Sequence, residues 1–189
     1  VFAKYATLSV EDLQKPENEA GLKMGQRMFA NNCSVCHGTA ATGAHGFPNL
    51  ADDDWLYGGS PEALTQTILN GRQGAMPAWG AVLGEEGVRD VSSYVQTLSG
   101  QEADADAAAR GKTQFQALCT ACHGVDGKGM LALGAPNLTD NTWLYGGSFE
   151  EITHTIRSGR NGVMPAHKDL LSQDKVQLIA AYVYSLSNK

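Results

Sequence analysis

Two copies of Cys-x-x-Cys-His stand in this chain, Cys33-Ser34-Val35-Cys36-His37 and Cys119-Thr120-Ala121-Cys122-His123. This spacing is the attachment signature of c-type haem. Cysteines in such a run hold the porphyrin edge as thioethers, and the histidine becomes the proximal iron ligand. The two runs use all 4 cysteines, so no thiol is left unexplained. A lone Cys-x-x-Cys is open to zinc or thioredoxin-like chemistry. Here each run carries its histidine, and each is followed by a Met-Pro at a similar distance. The expected cofactors are therefore two covalently bound haem c groups.

The chain has 189 residues, one domain by length alone, but it is internally duplicated. Gly25, Phe29, Cys33 and His37 recur as Gly111, Phe115, Cys119 and His123, at an offset of 86. Asn49-Leu50, Trp55-Leu56-Tyr57-Gly58-Gly59, Gly71-Arg72, Met76-Pro77 and Tyr94-Val95 recur 88 residues on. The change of offset locates a two-residue insertion between the histidine and the Asn-Leu pair of the second copy. The expected layout is an N-terminal neck (1–20), a first domain (21–99), a small acidic linker (100–109) and a second domain (110–189). Units of roughly 80 residues bury little apolar surface and usually need a staple. A covalently held haem supplies one.

No stretch reaches the roughly 18 consecutive apolar residues of a membrane helix, and no signal peptide is visible. Haem c is attached, in bacteria, outside the cytoplasmic membrane, so a lost N-terminal signal or anchor is expected. Net charge is −6 and uneven: residues 1–99 hold 6 basic and 11 acidic side chains, residues 110–189 hold 8 and 6. Such an acidic half either steers basic partners or simply keeps the chain soluble. Nothing suggests nucleic acid.

Both repeats read as helical with long loops, and no alternating strand pattern of any length appears. Gly25, Phe29 and Cys33 share one helix face, as do Gly111, Phe115 and Cys119. A glycine there admits a second helix closely. The expected partner is the last helix of the same repeat, marked by Val88, Val91, Val95 and Leu98 in the first and by Val176, Ile179, Val183 and Leu186 in the second. A middle helix opens at Ser60-Pro61, with Ser60 as N-cap. Its counterpart opens at Ser148, with Glu151 completing a capping box. They end at Gly71 and Gly159.

What binds the far face of each iron decides function. An open position binds small molecules, whereas a sulfur ligand makes an electron carrier of raised potential. Met76 and Met164, 39 and 41 residues after their histidines, occur in register in Gly-Arg-x-Gly-x-Met-Pro. The proline stiffens the loop that presents the sulfur. The expected pairs are His37 with Met76 and His123 with Met164. Met24 and Met28 read as core fillers, and Met130 follows His123 too closely to reach the opposite face. His45, His154 and His167 have no repeat partner and read as surface or supporting residues. Arg72 and Arg160 are candidates for haem propionates. Trp55 and Trp143 are candidates for the same task or for the pocket wall. Pro48-Asn49-Leu50 and Pro136-Asn137-Leu138 are expected to pass the proximal histidines, where a carbonyl would hold the second imidazole nitrogen.

Each half resembles a small class I cytochrome c in its Gly-x-x-x-Phe helix, Cys-x-x-Cys-His, distal Met-Pro and terminal Tyr-Val helix. The fold class implied is all-α, two tandem domains each wrapped around one haem. Trp-Leu-Tyr-Gly-Gly-Ser in both halves, Gly-Arg-x-Gly-x-Met-Pro-Ala in both, Phe29-Ala30-Asn31-Asn32-Cys33 and Gly134-Ala135-Pro136-Asn137-Leu138-Thr139-Asp140 carry a narrower resemblance. They are similar to the dihaem subunit of cbb3-type cytochrome c oxidase. Phe2-Ala3-Lys4-Tyr5-Ala6 resembles the segment after that subunit's membrane anchor. The resemblance implies electron relay on the periplasmic side of the bacterial inner membrane. The donor would be a soluble c-type cytochrome, and the acidic half would suit a basic one. The acceptors would be a monohaem cytochrome c subunit and then the oxygen-reducing haem-copper core. No substrate chemistry of the chain's own is implied. A free soluble dihaem carrier is the alternative, and a dihaem peroxidase or gas sensor would need a sixth position that opens.

Overall fold

In the computed structural model, which describes residues 4, 5 and 7–187, helices dominate. They are α1 (Glu19–Asn32), α2 (Ser34–His37), α3 (Pro61–Asn70), α4 (Gly80–Leu98), α5 (Ala105–Leu118), α6 (Thr120–His123), α7 (Phe149–Ser158) and α8 (Gln173–Ser187). Two five-residue strands, β1 (Arg72–Met76) and β2 (Arg160–Met164), carry the Met-Pro runs. They lie where the sequence shows no alternation. The all-α expectation otherwise holds.

The compact units are not the two repeats. One unit joins Val1–Arg72 with Val163–Lys189, and the other is Gln73–Gly162. Each repeat thus gives up its last third. The expected boundaries at 21–99 and 110–189 describe the sequence repeat, not the packing. The physical reason is degeneracy: α4 and α8 bear the same apolar stripe, so periodicity fixes the buried face and not the partner.

In the first unit α1 crosses α8. A β-carbon on Gly25 would overlap the carbonyl oxygen of Leu178, so glycine sets the close approach. Phe29 fills the crossing, its ring 5.4 Å from that of Tyr182. Val176, Ile179 and Val183 line the buried face as expected, with Leu178, Ala180 and Ala181 widening it. The segment read as a neck belongs to this core: Tyr5, Val10 and Leu13 are buried. Ser9 Oγ accepts the Asp12 N–H at 3.0 Å just before the 3-10 turn Asp12–Gln14, which a second, Pro16–Asn18, follows. Gln14 Nε2 donates to the Ala181 carbonyl at 3.1 Å, tying these turns to α8. Phe2, Ala3 and Ala6 lie outside the described residues.

In the second unit α5 crosses α4 in the same manner. Gly111 lies on the carbonyl of Asp90, and the Tyr94 and Phe115 rings meet edge to face at 5.2 Å. Gly84, at φ +67°, breaks α4 near its start. Arg110 grips the buried Asp90 carboxylate with two bonds, 2.8 and 2.7 Å. Thr153 Oγ1 on α7 donates to Ser92 Oγ on α4 at 3.1 Å. The expected linker 100–109 is helical at its end: Asp104 accepts the Ala107 N–H at 2.8 Å and caps α5, which starts at Ala105.

Ser148 and Glu151 form the capping box read from the sequence. Ser148→Ala is expected to lower stability by about 1 kcal/mol, the usual worth of an N-cap. A urea titration of the two proteins checks this, and equal midpoints would count against the cap. Gly71 and Gly159 end α3 and α7 at φ +69° and +71° with extended ψ, a region open essentially to glycine alone.

Candidate haem sites

The haem motifs start where the α1 and α5 hydrogen-bond ladders end. Cys33 N–H donates to the Phe29 carbonyl at 2.8 Å and His37 N–H to the Cys33 carbonyl at 3.0 Å. One further helical turn, α2, then delivers the histidine inward. The second motif repeats this, with His123 N–H on the Cys119 carbonyl at 2.9 Å. His37 and His123 are 8 % and 9 % exposed.

A loop folds back under each histidine. Gly43 N–H donates to the His37 carbonyl at 2.9 Å, and Leu50 N–H to the Ala41 carbonyl at 2.8 Å. These bonds aim the Pro48 carbonyl at His37 Nδ1, 3.0 Å away. In the second unit Gly129 and Leu138 make the corresponding bonds to His123 and Gly127, both at 2.8 Å. There the Pro136 carbonyl reaches His123 Nδ1 at 3.2 Å. A carbonyl only accepts, so each Nδ1 carries the proton and Nε2 keeps its lone pair for iron. Burial pushes the His123 pKa down, against the opposing pull of the Pro136 carbonyl, which keeps the ring in its neutral, ligating form. Burial, with a smaller contribution from the neighbouring cysteine, raises the Cys33 and Cys119 thiols to about 11. Uncharged sulfur suits these positions, and a thioether is uncharged.

The two methionines do not pack with the cores of their own repeats. Met164 packs with the core that holds Phe29 and Cys33, and Met76 with the core that holds Phe115 and Cys119. Gly71, ending α3, lies against the Met164 carbonyl and the Ala166 nitrogen. His167 N–H donates to the Ile68 carbonyl at 3.0 Å. Gly159, ending α7, lies in the same way against Met76 and Ala78, and Trp79 N–H donates to the Ile156 carbonyl at 2.9 Å. Met-Pro loops and glycine-capped helices therefore fit together across repeats, as the terminal helices do.

Trp55 and Trp143 are half-buried, and each is covered by a glycine two residues beyond the tyrosine. A β-carbon on Gly59 or Gly147 would run into the indole, which explains Trp-Leu-Tyr-Gly-Gly. Arg72 lies over the Tyr57 ring at 4.6 Å and donates from Nε to Thr67 Oγ1 at 2.8 Å. Arg160 does the same with Tyr145 at 4.4 Å and Thr155 Oγ1 at 2.9 Å. The threonines and the stacking were not read from the sequence, although both residue types recur in register. Among the described residues the buried Tyr57 hydroxyl has no hydrogen-bond partner. An anionic haem edge beside Arg72 would supply one, so the residues fit the group. Among the described residues no three His, Cys, Asp or Glu side chains converge as a lone metal site requires.

Met24 and Met28 pack on the first core as expected, while Met130, His45 and His154 are exposed. His167 is half-buried, with Nδ1 enclosed and unpartnered among the described residues.

Two haem-attachment turns, each with a carbonyl-held histidine, a methionine loop and a glycine-set helix crossing, define a tandem-repeat c-type cytochrome. The chain belongs to the family of cytochrome c oxidase, cbb3-type, subunit III, whose model matches residues 20–95 and 106–183. It is 44 % identical over 188 residues to the cbb3-type cytochrome c oxidase subunit CcoP of Rubrivivax gelatinosus, covering 99 % of this chain and 61 % of that protein. It is 43 % identical over 195 residues to the subunit FixP of Azorhizobium caulinodans, covering 97 % and 67 %. The CcoP of Cereibacter sphaeroides is 42 % identical over 173 residues, covering 86 % and 60 %. The chain thus spans about two-thirds of the length of these relatives or less. Among the described residues no helix is long and apolar enough to cross a membrane.

Proposed function

We propose that this chain carries two haem c groups and relays single electrons into a cbb3-type terminal oxidase. The first haem is held by Cys33, Cys36 and His37 with Met164 as sixth ligand. The second is held by Cys119, Cys122 and His123 with Met76. When bound, the haem supplies a one-electron iron couple, and a His-Met pair raises its potential. The observation that carries this reading is that each histidine is buried and held through Nδ1 by a carbonyl, while Met164 packs on the core that holds Cys33 and Met76 on the core that holds Cys119. Such a setting keeps both axial groups still while charge changes. Arg72 and Arg160 offset propionate charge, and Trp55 and Trp143 wall the pockets.

The donor is a soluble c-type cytochrome, and the acidic half of the chain suits a basic one. The acceptors are the other subunits of the oxidase, a monohaem cytochrome c subunit and the haem-copper core. The site of action is the periplasmic side of the inner membrane, reached through an anchor outside this sequence. The family membership favours this over a free dihaem carrier.

Carbon monoxide separates relay from peroxide or gas chemistry. Mixed with the reduced dihaem protein, it is expected to leave both visible spectra unchanged on the timescale of mixing. Rapid, stoichiometric binding at either haem would overturn the relay reading.

A further inference from the structure

We propose that His167 binds haem, its Nδ1–H donating to a propionate of the group carried by Cys33, Cys36 and His37. The inference rests on that haem being bound, as proposed above. Every residue assigned to the site lies in one compact unit, that of Val1–Arg72 with Val163–Lys189.

The backbone of His167 is fixed on both sides. Its N–H donates to the Ile68 carbonyl at 3.0 Å, and its carbonyl accepts from Leu170 at 3.0 Å and from Leu171 at 2.8 Å. Lys168 N–H donates to the Leu69 carbonyl at 3.2 Å. The side chain is thus held at the last turn of α3. There Nδ1 is enclosed, with no hydrogen-bond partner among the described residues. A buried polar atom left unpaired costs about 1–3 kcal/mol. The fold does not demand one at this place: the equivalent residue of the other repeat is Trp79, which packs on its own core. A histidine here needs a partner.

The surroundings say which. Arg72, just past α3, brings a cation to the same turn, with Nε on Thr67 Oγ1 at 2.8 Å and its face on the Tyr57 ring at 4.6 Å. The Tyr57 hydroxyl is the other enclosed, unpartnered side-chain atom among the described residues of this unit. Two groups able to donate and one guanidinium therefore gather at the end of α3. Ile68 and Leu69, whose carbonyls hold the His167 segment, pack on the core that holds Cys33, Trp55 and Met164. A carboxylate accepts from several donors at once and answers the charge of Arg72. Haem brings two.

Nuclear magnetic resonance of the reduced dihaem protein, isotopically labelled in its histidine nitrogens, tests this. A haemochromogen assay first counts the haems. Two per chain are expected, and fewer would sink the relay reading and this inference with it. With two bound, His167 Nδ1 is expected to carry a slowly exchanging proton, assigned by its loss in His167→Phe and in His167→Gln. That proton is expected to lie against propionate methylenes of the haem linked to Cys33 and Cys36. A bare Nδ1, or a proton far from those methylenes, would overturn the proposal and leave the relay reading standing. Removing the donor leaves the propionate its full negative charge, which favours ferric iron. In His167→Phe the reduced-to-oxidised ratio of this haem at a fixed potential is therefore expected to drop several-fold, with the other haem unchanged. His167→Gln, which keeps a donor, is expected to recover part of the loss. Equal potentials in the parent and His167→Phe would also overturn the proposal.

Discussion

Replacing Met164 with leucine is expected to strip the sulfur from the haem held by Cys33, Cys36 and His37. Reading the repeats in order assigns this methionine to the other haem. The exchanged expectation rests on three independent contacts. Met164 packs on the core of Phe29 and Cys33, its carbonyl lies under Gly71, and the following turn is bonded to α3 through His167 and Ile68. Leucine nearly conserves volume, so the packing survives while the ligand is lost. Axial ligands set haem potentials over about 0.8 V, and sulfur lies towards the upper end, so a fall of a large fraction of a volt is expected at one haem. A spectroelectrochemical titration, with each haem identified through its cysteines, measures it. A fall at the haem on Cys119 and Cys122 would restore the pairing in chain order.

The second large effect is expected at Gly111. A β-carbon there would overlap the Asp90 carbonyl and crowd the Val91 nitrogen, both backbone atoms that cannot swing aside. Gly111→Ala would force α5 off α4. That separation would lift Phe115 from Tyr94 and pull Arg110 from a carboxylate buried to 5 % exposure. Overpacking alone costs about 1–3 kcal/mol, and the lost crossing brings the expected loss to about 3 kcal/mol or more. Alanine favours a helix over glycine by about 1 kcal/mol, which is too little to compensate. Denaturant unfolding of the holoprotein gives the difference. A stability within 1 kcal/mol of the parent would mean that the crossing is looser than described.

The haem motifs, the glycine-bearing faces of the first helices, both middle-helix caps and the histidine-holding carbonyls were legible in the sequence. Each is a local pattern, set by spacing along one element or by chemistry within a short loop. Which terminal helix covers which repeat is not local, and duplication makes it degenerate. One register nevertheless distinguishes the partners. Asp90 and Leu178 are equivalent in the repeat, as are Arg110 and Met24. In the observed pairing Asp90 meets Arg110, and the helix bearing Leu178 covers that bearing Met24. The other pairing would bury a carboxylate opposite a thioether, with no cation to meet it, a costly mismatch. The two short strands, Arg-x-Gly-x-Met in both copies, had no polar–apolar alternation to find.

Synthesis proceeds from the N-terminus, and the interleaved path inverts the order in which the units can close. All of Gln73–Gly162 is made before α8 exists. The unit with the second haem motif can therefore finish first. The one with the first motif waits, its α1 face of Gly25 and Phe29 uncovered, for a helix made later. At roughly 5–20 residues per second, making that later segment takes about 1–5 s. Of the two cores, the one whose first helix is made earlier is the one whose last helix is made later.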